Sequence, residues 1–211
     1  GGATLLAIMG GYGLAKFRFP GRKAVFAVII GAISVPGIAL AVPQFLLFAK
    51  LNLTNTPWAM IIPSLVSTFG LYLMWIFSDQ AVPTELLEAA RVDGCGPIRT
   101  FLHIMLPMSQ SSLLVCTVLS IVWHWNDYFE PGVYFNSVWL KMLPNSLPNL
   151  YAELDKEQHT MIQTSDIEGI IFNEAMLMAA TFLCILPILI LYLILQKRFM
   201  EGVERSGLTG I

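Results

Sequence analysis

Charged residues are scarce in this sequence of 211 residues. They make up 12% of it, which is about half the share usual in soluble domains, whereas 56% of the residues are apolar. This composition excludes an ordinary soluble domain and predicts a membrane protein. No basic tract is present, so we expect no nucleic-acid partner, and the net charge of −2 carries little further information.

Motifs for nucleotide, metal and nucleophilic chemistry are also missing. No GxxxxGK[ST] loop occurs, so any ATP must be used by a separate subunit. The three histidines form no HExxH pattern, no GxSxG elbow is present, and the three cysteines fit neither a disulfide framework nor a CxxC site. We therefore expect a chain that is not an enzyme and binds no cofactor or metal.

Long apolar runs predict about five membrane-crossing segments in an all-α bundle that forms a single domain over residues 1–211. The runs are residues 1–15, 24–40, 58–77, 108–125 and 175–195. The first is shorter than the roughly 20 residues that cross a bilayer and opens without Met, so we expect an N-terminal truncation. A kink is expected near Leu40, and Ala7, Gly10 and Gly13 predict a small-residue packing face.

The distribution of cations predicts the orientation of the bundle. If the chain alternates sides, nine cations lie inside and three outside. The inner set is Lys16, Arg18, Arg22, Lys23, Arg91, Arg99, Lys197, Arg198 and Arg205, and the outer set is Lys50, Lys141 and Lys156. This bias places the polar stretch at residues 84–107 in the cytoplasm.

That polar stretch predicts a short helical hairpin. Thr84 is expected to cap the first helix, and Gly94 is expected to take a positive φ and reverse the chain. Pro97 suits the first position of the second helix, which Pro107 is expected to end. The second helix should bury one apolar stripe, formed by Ile98, Phe101, Leu102 and Met105.

Eight residues of this hairpin carry a family resemblance: Glu88, Ala89, Ala90, Asp93, Gly94, Phe101, Leu106 and Pro107. Their spacing resembles the EAA signature in the transmembrane subunits of binding-protein-dependent ABC importers. The resemblance implies a cytoplasmic loop whose first part, the coupling helix, sits in a cleft of the ATPase subunit. The hairpin pattern alone leaves open an interfacial amphipathic segment with no docking role.

The resemblance extends along the chain. Residues 12–22, 125–127, 143–144, 177–180 and 196–199 are similar, in the same order, to stretches of the maltose-type carbohydrate permeases. The sequence most resembles the second maltose permease subunit. This implies the type I importer permease fold, a bacterial inner membrane location in contact with lipid, and carbohydrate or glycerol phosphate transport.

The partners implied by the resemblance are ATP-binding cassette ATPase subunits, a second, related permease subunit and an extracytoplasmic solute-binding protein. The family pattern has one more helix before Gly1. The alternative is an ion-coupled secondary transporter or channel subunit, which would usually carry charges within several spans. The predicted spans here are almost free of charge, which favours the importer.

Two external features are candidates for contact with substrate or binding protein. Residues 131–172 predict a polar external loop with short helices of its own, and the resemblance implies that the binding protein docks there. Trp123, Trp125, Asn126 and Asp127 are candidates for the translocation path, since an ionisable group at depth normally faces water. The alternative is an aromatic belt with Asp127 at the headgroups, and the resemblance implies that the other permease subunit makes most sugar contacts.

Cys95 lies in the predicted hairpin turn and therefore reports the orientation of the chain. In intact, sealed cells we expect no reaction of Cys95 with a membrane-impermeant maleimide, and rapid reaction after permeabilisation. A variant with Ala at the other two cysteines makes the signal specific. Labelling of Cys95 in sealed cells would contradict the charge-based orientation.

Overall fold

The computed structural model describes residues 1–80, 82–161 and 174–205. These residues form helices joined by turns and include no strand, which confirms the predicted all-α class. The α-helices are α1 Gly2–Lys16, α2 Arg22–Ile33, α3 Gly37–Lys50, α4 Trp58–Ser64, α5 Thr68–Gln80, α6 Thr84–Val92, α7 Pro97–Thr100, α8 Leu106–Met108, α9 Gln110–Trp125, α10 Phe129–Tyr134, α11 Leu143–Met161 and α12 Glu174–Arg205. A π-helical turn spans Phe101–Met105, and a 3-10 turn spans Val138–Leu140.

The structure divides into two compact units, and each unit is described by itself. The first comprises Gly1–Val42, Ile61–His124 and the described residues from Leu195 onward. The second comprises Pro43–Met60 and the described residues between Trp125 and Ile194.

The first unit is built on the packing of α1 along α5. Ile8 on α1 and Met74 on α5 are fully buried in its core. A Cβ added at Gly11 would lie 2.7 Å from backbone atoms of Met74 and Trp75. A residue without a side chain is therefore required at Gly11, and it lets the two backbones approach closely.

The small-residue face differs from the predicted one. Ala7 is buried and Gly10 contacts Leu71, but a Cβ at Gly13 would meet nothing within 4 Å. With 3.6 residues per turn, a position four residues after Ala7 shares its face, whereas a position six residues after it points elsewhere. Gly11, and not Gly13, therefore continues the packing surface.

Proline and serine set the breaks between the apolar helices. Helix α2 ends at Ile33 and α3 begins at Gly37, so the expected kink near Leu40 is wrong. Pro36 has no N–H and disfavours helical geometry at the residue before it, whereas Pro43 lies inside α3. Between α4 and α5, the Ser67 hydroxyl accepts the N–H of Gly70 at 3.0 Å and caps the new helix.

Two helical stretches in the described part of the chain are long and apolar enough to cross a membrane. They are Trp58–Gln80, which includes the break between α4 and α5, and Ala175–Lys197. Two further pairs qualify when each broken pair counts as one span, α2 with α3 and Pro97–Met108 with α9. Four of the five predicted crossings therefore have a counterpart. The fifth corresponds to α1, which has 15 residues in this sequence.

The second unit has its own small core. Phe48, Ala59, Met60, Tyr134 and Phe135 are buried together. Helix α9 ends at Trp125, as the apolar run 108–125 predicts, and Glu130–Gly132 lie inside the separate helix α10. Pro131 is tolerated there because it sits in the first turn, where backbone N–H groups have no intrahelical partner.

The predicted external loop, residues 131–172, is largely helical where it is described. It contains the end of α10, the 3-10 turn and α11, which is 19 residues long and holds Pro148. Residues 162–173 of this loop lie outside the described part of the chain. The prediction of helices within the loop is confirmed, although α11 is longer than expected.

The approach of α1 to α5 predicts a sharp difference between two neighbouring glycines. Gly11→Ala should destabilise the protein by about 1–3 kcal/mol, because the new methyl group meets backbone that has no room to move. Gly13→Ala is the control, since it points into open space and improves helix propensity. Size-exclusion chromatography of heated, detergent-solubilised protein measures both, and equal stability of the two variants would contradict the packing.

Candidate functional site

The hairpin at residues 84–107 lies within the first unit and is formed by α6, a tight turn, α7, the π-helical turn and the start of α8. Helix α6 already includes Thr84, and Pro83 occupies the capping position without a side-chain hydrogen bond. The predicted Thr84 cap is therefore wrong. Pro83 restricts its own φ and the residue before it, which is sufficient to start the helix at Thr84.

A Schellman motif closes the turn between the two arms of the hairpin. The Cys95 N–H donates to the Ala90 carbonyl at 2.8 Å, and the Gly94 N–H donates to the Arg91 carbonyl at 3.0 Å. Gly94 has a φ of 77°, which confirms the predicted left-handed conformation. Pro97 then occupies the first turn of α7, also as predicted.

One face of the hairpin is anchored in the core of the first unit. Leu87 and Met105 are buried in the same cluster as Tyr12 on α1. The ring of Phe101 lies 5.7 Å from the ring of Tyr12, centroid to centroid. Both arms of the hairpin therefore pack against α1 or its core.

The buried stripe of the second arm is rotated from the predicted one. Phe101 and Met105 face inward as expected, but Ile98 and Leu102 are exposed, and Thr100 is buried in their place. Thr100 tolerates burial because its hydroxyl donates to the Gly96 carbonyl at 3.1 Å. The apolar periodicity did not predict this burial, because it takes no account of a hydroxyl that makes its hydrogen bond four residues back along the chain.

The opposite face of the hairpin presents apolar side chains to the surroundings. Val92 is 87% exposed and Ile98 is 77% exposed, one on each side of the turn. Ile98 and Leu102 also line an open depression of about 450 Å³ together with Pro97 and His103. No role was predicted for Val92. In the sequence it is marked only as an apolar residue beside the predicted turn.

The eight signature residues divide between these two faces. Ala90, Phe101 and Leu106 are buried or half-buried against the core, whereas the other five are exposed or form the turn. The exposed ones are Glu88, Ala89, Asp93, Gly94 and Pro107. The structure thus brings the signature into one hairpin with an anchoring side and a free side.

The hairpin does not end at Pro107 as predicted. Helix α8 runs to Met108, and the chain bends by 77° into α9 at Ser109. Both the N–H and the hydroxyl of Ser109 donate to the Met105 carbonyl, at 3.0 and 2.6 Å. Serine side chains that bond back to the helix in this way favour bends.

The four candidates for the translocation path have different local surroundings. Trp123 and Asn126 are exposed, whereas the indole N–H of Trp125 donates to the Cys184 carbonyl at 3.0 Å. The Asp127 carboxylate accepts the N–H of Glu130 at 3.2 Å and so satisfies a donor at the start of α10. This hydrogen bond gives Asp127 a structural role, which favours the aromatic-belt alternative over a role in the translocation path.

Tyr134 shares the surroundings of Asp127. Burial of its phenol raises its pKa to about 12, and the nearby carboxylates of Glu130 and Asp127 act in the same direction. The phenol is therefore neutral at physiological pH. In the described part of the chain, no group of three or more His, Cys, Asp and Glu side chains is arranged to hold a metal ion.

The sequence is similar to a family of known proteins. Residues 3–205 match the family model described as "binding-protein-dependent transport system inner membrane component". The arabinooligosaccharides transport system permease protein AraQ of Halalkalibacterium halodurans is 31% identical over 208 residues, which are 99% of this chain and 68% of that protein. The chain therefore spans about two thirds of the length of this relative.

Further relatives carry related names. The lactose transport system permease protein LacG of Rhizobium radiobacter is 29% identical, with 96% of this chain and 68% of that protein covered. The sn-glycerol-3-phosphate transport system permease protein UgpE of Yersinia pestis is 29% identical, with 97% and 68% covered.

A solved structure is similar in fold. It is the crystal structure of a bacterial ABC transporter involved in the import of alginate, and one of its chains matches with a TM-score of 0.74 at 22% identity. The match covers 94% of this chain and 69% of that one.

The hydrogen bond of Asp127 predicts how its substitutions behave. Asp127→Ala should lower stability by about 0.5–2 kcal/mol, because the start of α10 loses an acceptor, whereas Asp127→Asn should be close to wild type. Thermal unfolding and membrane transport are measured for both variants. A charge-dependent role in translocation would give the contrary result, a stable Asp127→Asn protein that no longer transports.

Proposed function

Because the chain belongs to the family of binding-protein-dependent transport system inner membrane components, we propose that it is the permease subunit of a bacterial ABC importer for a carbohydrate. The hairpin at residues 84–107 is its contact with the ATPase subunit. The ion-coupled secondary transporter or channel is disfavoured by the family match.

The two-sided hairpin is the observation that carries the coupling role. Its inner side is locked to α1 through Leu87, Phe101 and Met105, so a push on the hairpin moves the core of the first unit. Its outer side exposes Val92 and Ile98, which are costly to leave in water and suited to a complementary cleft. A partner seated on this face would cover both residues.

Charge around the turn supplies specificity to the same contact. Glu88 and Asp93 on the first arm and Arg99 on the second are exposed and flank the apolar pair. Charges at the rim of an interface set the register and suppress wrong partners more than they add affinity. In this proposal Gly94 holds the two arms at a constant spacing while the ATPase subunit closes.

The relatives support the carbohydrate class of substrate. Their names refer to arabinooligosaccharides, lactose and sn-glycerol-3-phosphate, each of which carries at least two hydroxyl groups. Of the four path candidates, Trp123 and Asn126 are exposed, whereas Trp125 and Asp127 hold structural hydrogen bonds. We propose a minor role in substrate contact for this subunit.

The remaining partners follow from the importer class. A second, related permease subunit completes the pathway in the inner membrane, and a solute-binding protein docks on the loop at residues 131–172. Within this loop Asn145 is buried and donates to the Tyr128 carbonyl at 2.6 Å, so it is not a contact candidate. Asn149 and Tyr151 are exposed and are better placed.

Substitution of two glycines in the hairpin turn tests the coupling role. Gly94→Val forces a β-branched residue to a φ of 77° and should cost about 1–3 kcal/mol locally. We expect the variant to insert in the membrane but to lose ATP-dependent uptake in reconstituted vesicles. The apolar spans should survive, because their burial does not depend on the turn.

Gly96→Val is the matched control. Gly96 has an extended backbone with φ −70° and ψ 162°, and a Cβ there meets nothing within 4 Å, just as at Gly94. The two variants therefore add the same side chain two residues apart and differ in backbone strain. Wild-type uptake by Gly94→Val protein, with ATP hydrolysis still stimulated by the loaded binding protein, would remove the hairpin from the coupling mechanism.

A further inference from the structure

Asn55 joins two segments of the second unit that are far apart in sequence. Its side-chain carbonyl accepts the N–H groups of Asn136 and Ser137 at 3.1 and 2.9 Å. Its side-chain amide donates to the Ser137 hydroxyl at 2.8 Å, and its own N–H donates to the Tyr134 carbonyl at 2.9 Å. We call these four hydrogen bonds the Asn55 clamp.

The Asn55 clamp holds the start of the 3-10 turn. Leu140, the last residue of that turn, packs against the core of the second unit. Trp139 is 97% exposed and Val138 is 76% exposed, so the turn presents these two side chains away from the core. The backbone on both sides of Trp139 is held by the Asn55 clamp and by Leu140, and its almost fully exposed side chain is available to a partner outside this chain.

Trp58 shows at which level of the membrane the Asn55 clamp lies. Trp58 is exposed and opens the helical stretch Trp58–Gln80, whose 23 residues suit a membrane crossing. These 23 residues, which are helical except for residues 65–67, exceed the roughly 20 residues that cross the hydrocarbon core. A crossing by this stretch would place Trp58 at one membrane interface, and Asn55 is three residues before it.

The same hydrogen bonds place Trp139 at that interface. Trp139 is two residues after Ser137, and Ser137 is bonded directly to Asn55. Tryptophan prefers the headgroup level of a bilayer because its ring is apolar and its N–H is polar. From this geometry we propose that Trp139, with Val138, inserts into the lipid interface beside Trp58 and anchors the external loop to the bilayer.

Charge near Trp139 favours lipid over a protein partner. Residues 131–152 contain no Asp or Glu, whereas Lys141 lies two residues after Trp139. Lysine beside an interfacial aromatic residue extends its ammonium group toward lipid phosphates. The exposed candidates for binding-protein contact, Asn149 and Tyr151, lie further along the chain, on α11.

Photocrosslinking in the assembled transporter in native membranes tests this anchor. A benzophenone amino acid is placed at position 139, with position 58 as the lipid-facing reference and position 151 as the comparison on α11. We expect adducts of a phospholipid mass at 139 and 58. When the solute-binding protein is present, position 139 should still give no adduct with it.

Two asparagines provide a matched pair that tests the role of the Asn55 clamp. Asn55 and Asn52 both have a positive φ, 57° and 54°, so glycine is tolerated at either position without backbone strain. Asn55→Gly removes three side-chain hydrogen bonds and should reduce lipid adducts at 139 severalfold while leaving those at 58 unchanged. Asn52→Gly should change neither.

Three outcomes would overturn the proposal. One is a binding-protein adduct at 139, which would make Trp139 part of the protein interface. Another is the absence of a lipid adduct at 139 while 58 still reacts. The third is an unchanged lipid adduct at 139 in the Asn55→Gly protein. None of these outcomes bears on the coupling hairpin, so the proposed function is tested separately.

Discussion

The backbone contact between α1 and α5 at Gly11 is the constraint on which the first unit depends. It brings Ile8 and Met74 into one core, and the same face of α1 presents Tyr12 to the ring of Phe101. The position of the hairpin therefore depends on Gly11 indirectly, because Gly11 sets how α1 packs on α5 and Tyr12 on α1 contacts Phe101 of the hairpin. Helices in a bilayer gain little from burying apolar surface, so close backbone packing of this kind replaces the hydrophobic effect.

The hairpin has a shape fixed by its own hydrogen bonds and, at the same time, exposed side chains that a partner can bind. Its Schellman turn satisfies the last carbonyls of α6 internally, so the tip needs no help from a partner to keep its shape. The side chains that would bind a partner, Val92 and Ile98, take no part in those hydrogen bonds. Folding of the hairpin and recognition by its outer face are therefore carried by separate residues.

Much of this organisation could be predicted from the sequence, and the errors have particular causes. The turn at Gly94 and Pro97 was predictable because glycine and proline restrict the backbone locally. The exposure of Ile98 and the burial of Thr100 could not be predicted. They depend on where α1 lies and on the Thr100 hydroxyl, which makes its hydrogen bond four residues back along the chain. The Asn55 clamp was equally hidden, since the partners of the Asn55 side chain lie 81 and 82 residues away.

The separation of the two faces of the hairpin also bears on how such transporters diversify. Residues that determine the shape of the hairpin, Leu87, Gly94 and Met105, are distinct from those that a partner would touch. If the hairpin binds the ATPase subunit as proposed, exchange of the outer side chains alone would retarget the permease to a different ATPase subunit without refolding it. Duplicated transport systems in one cell could thus become insulated from each other by a few surface substitutions at this site.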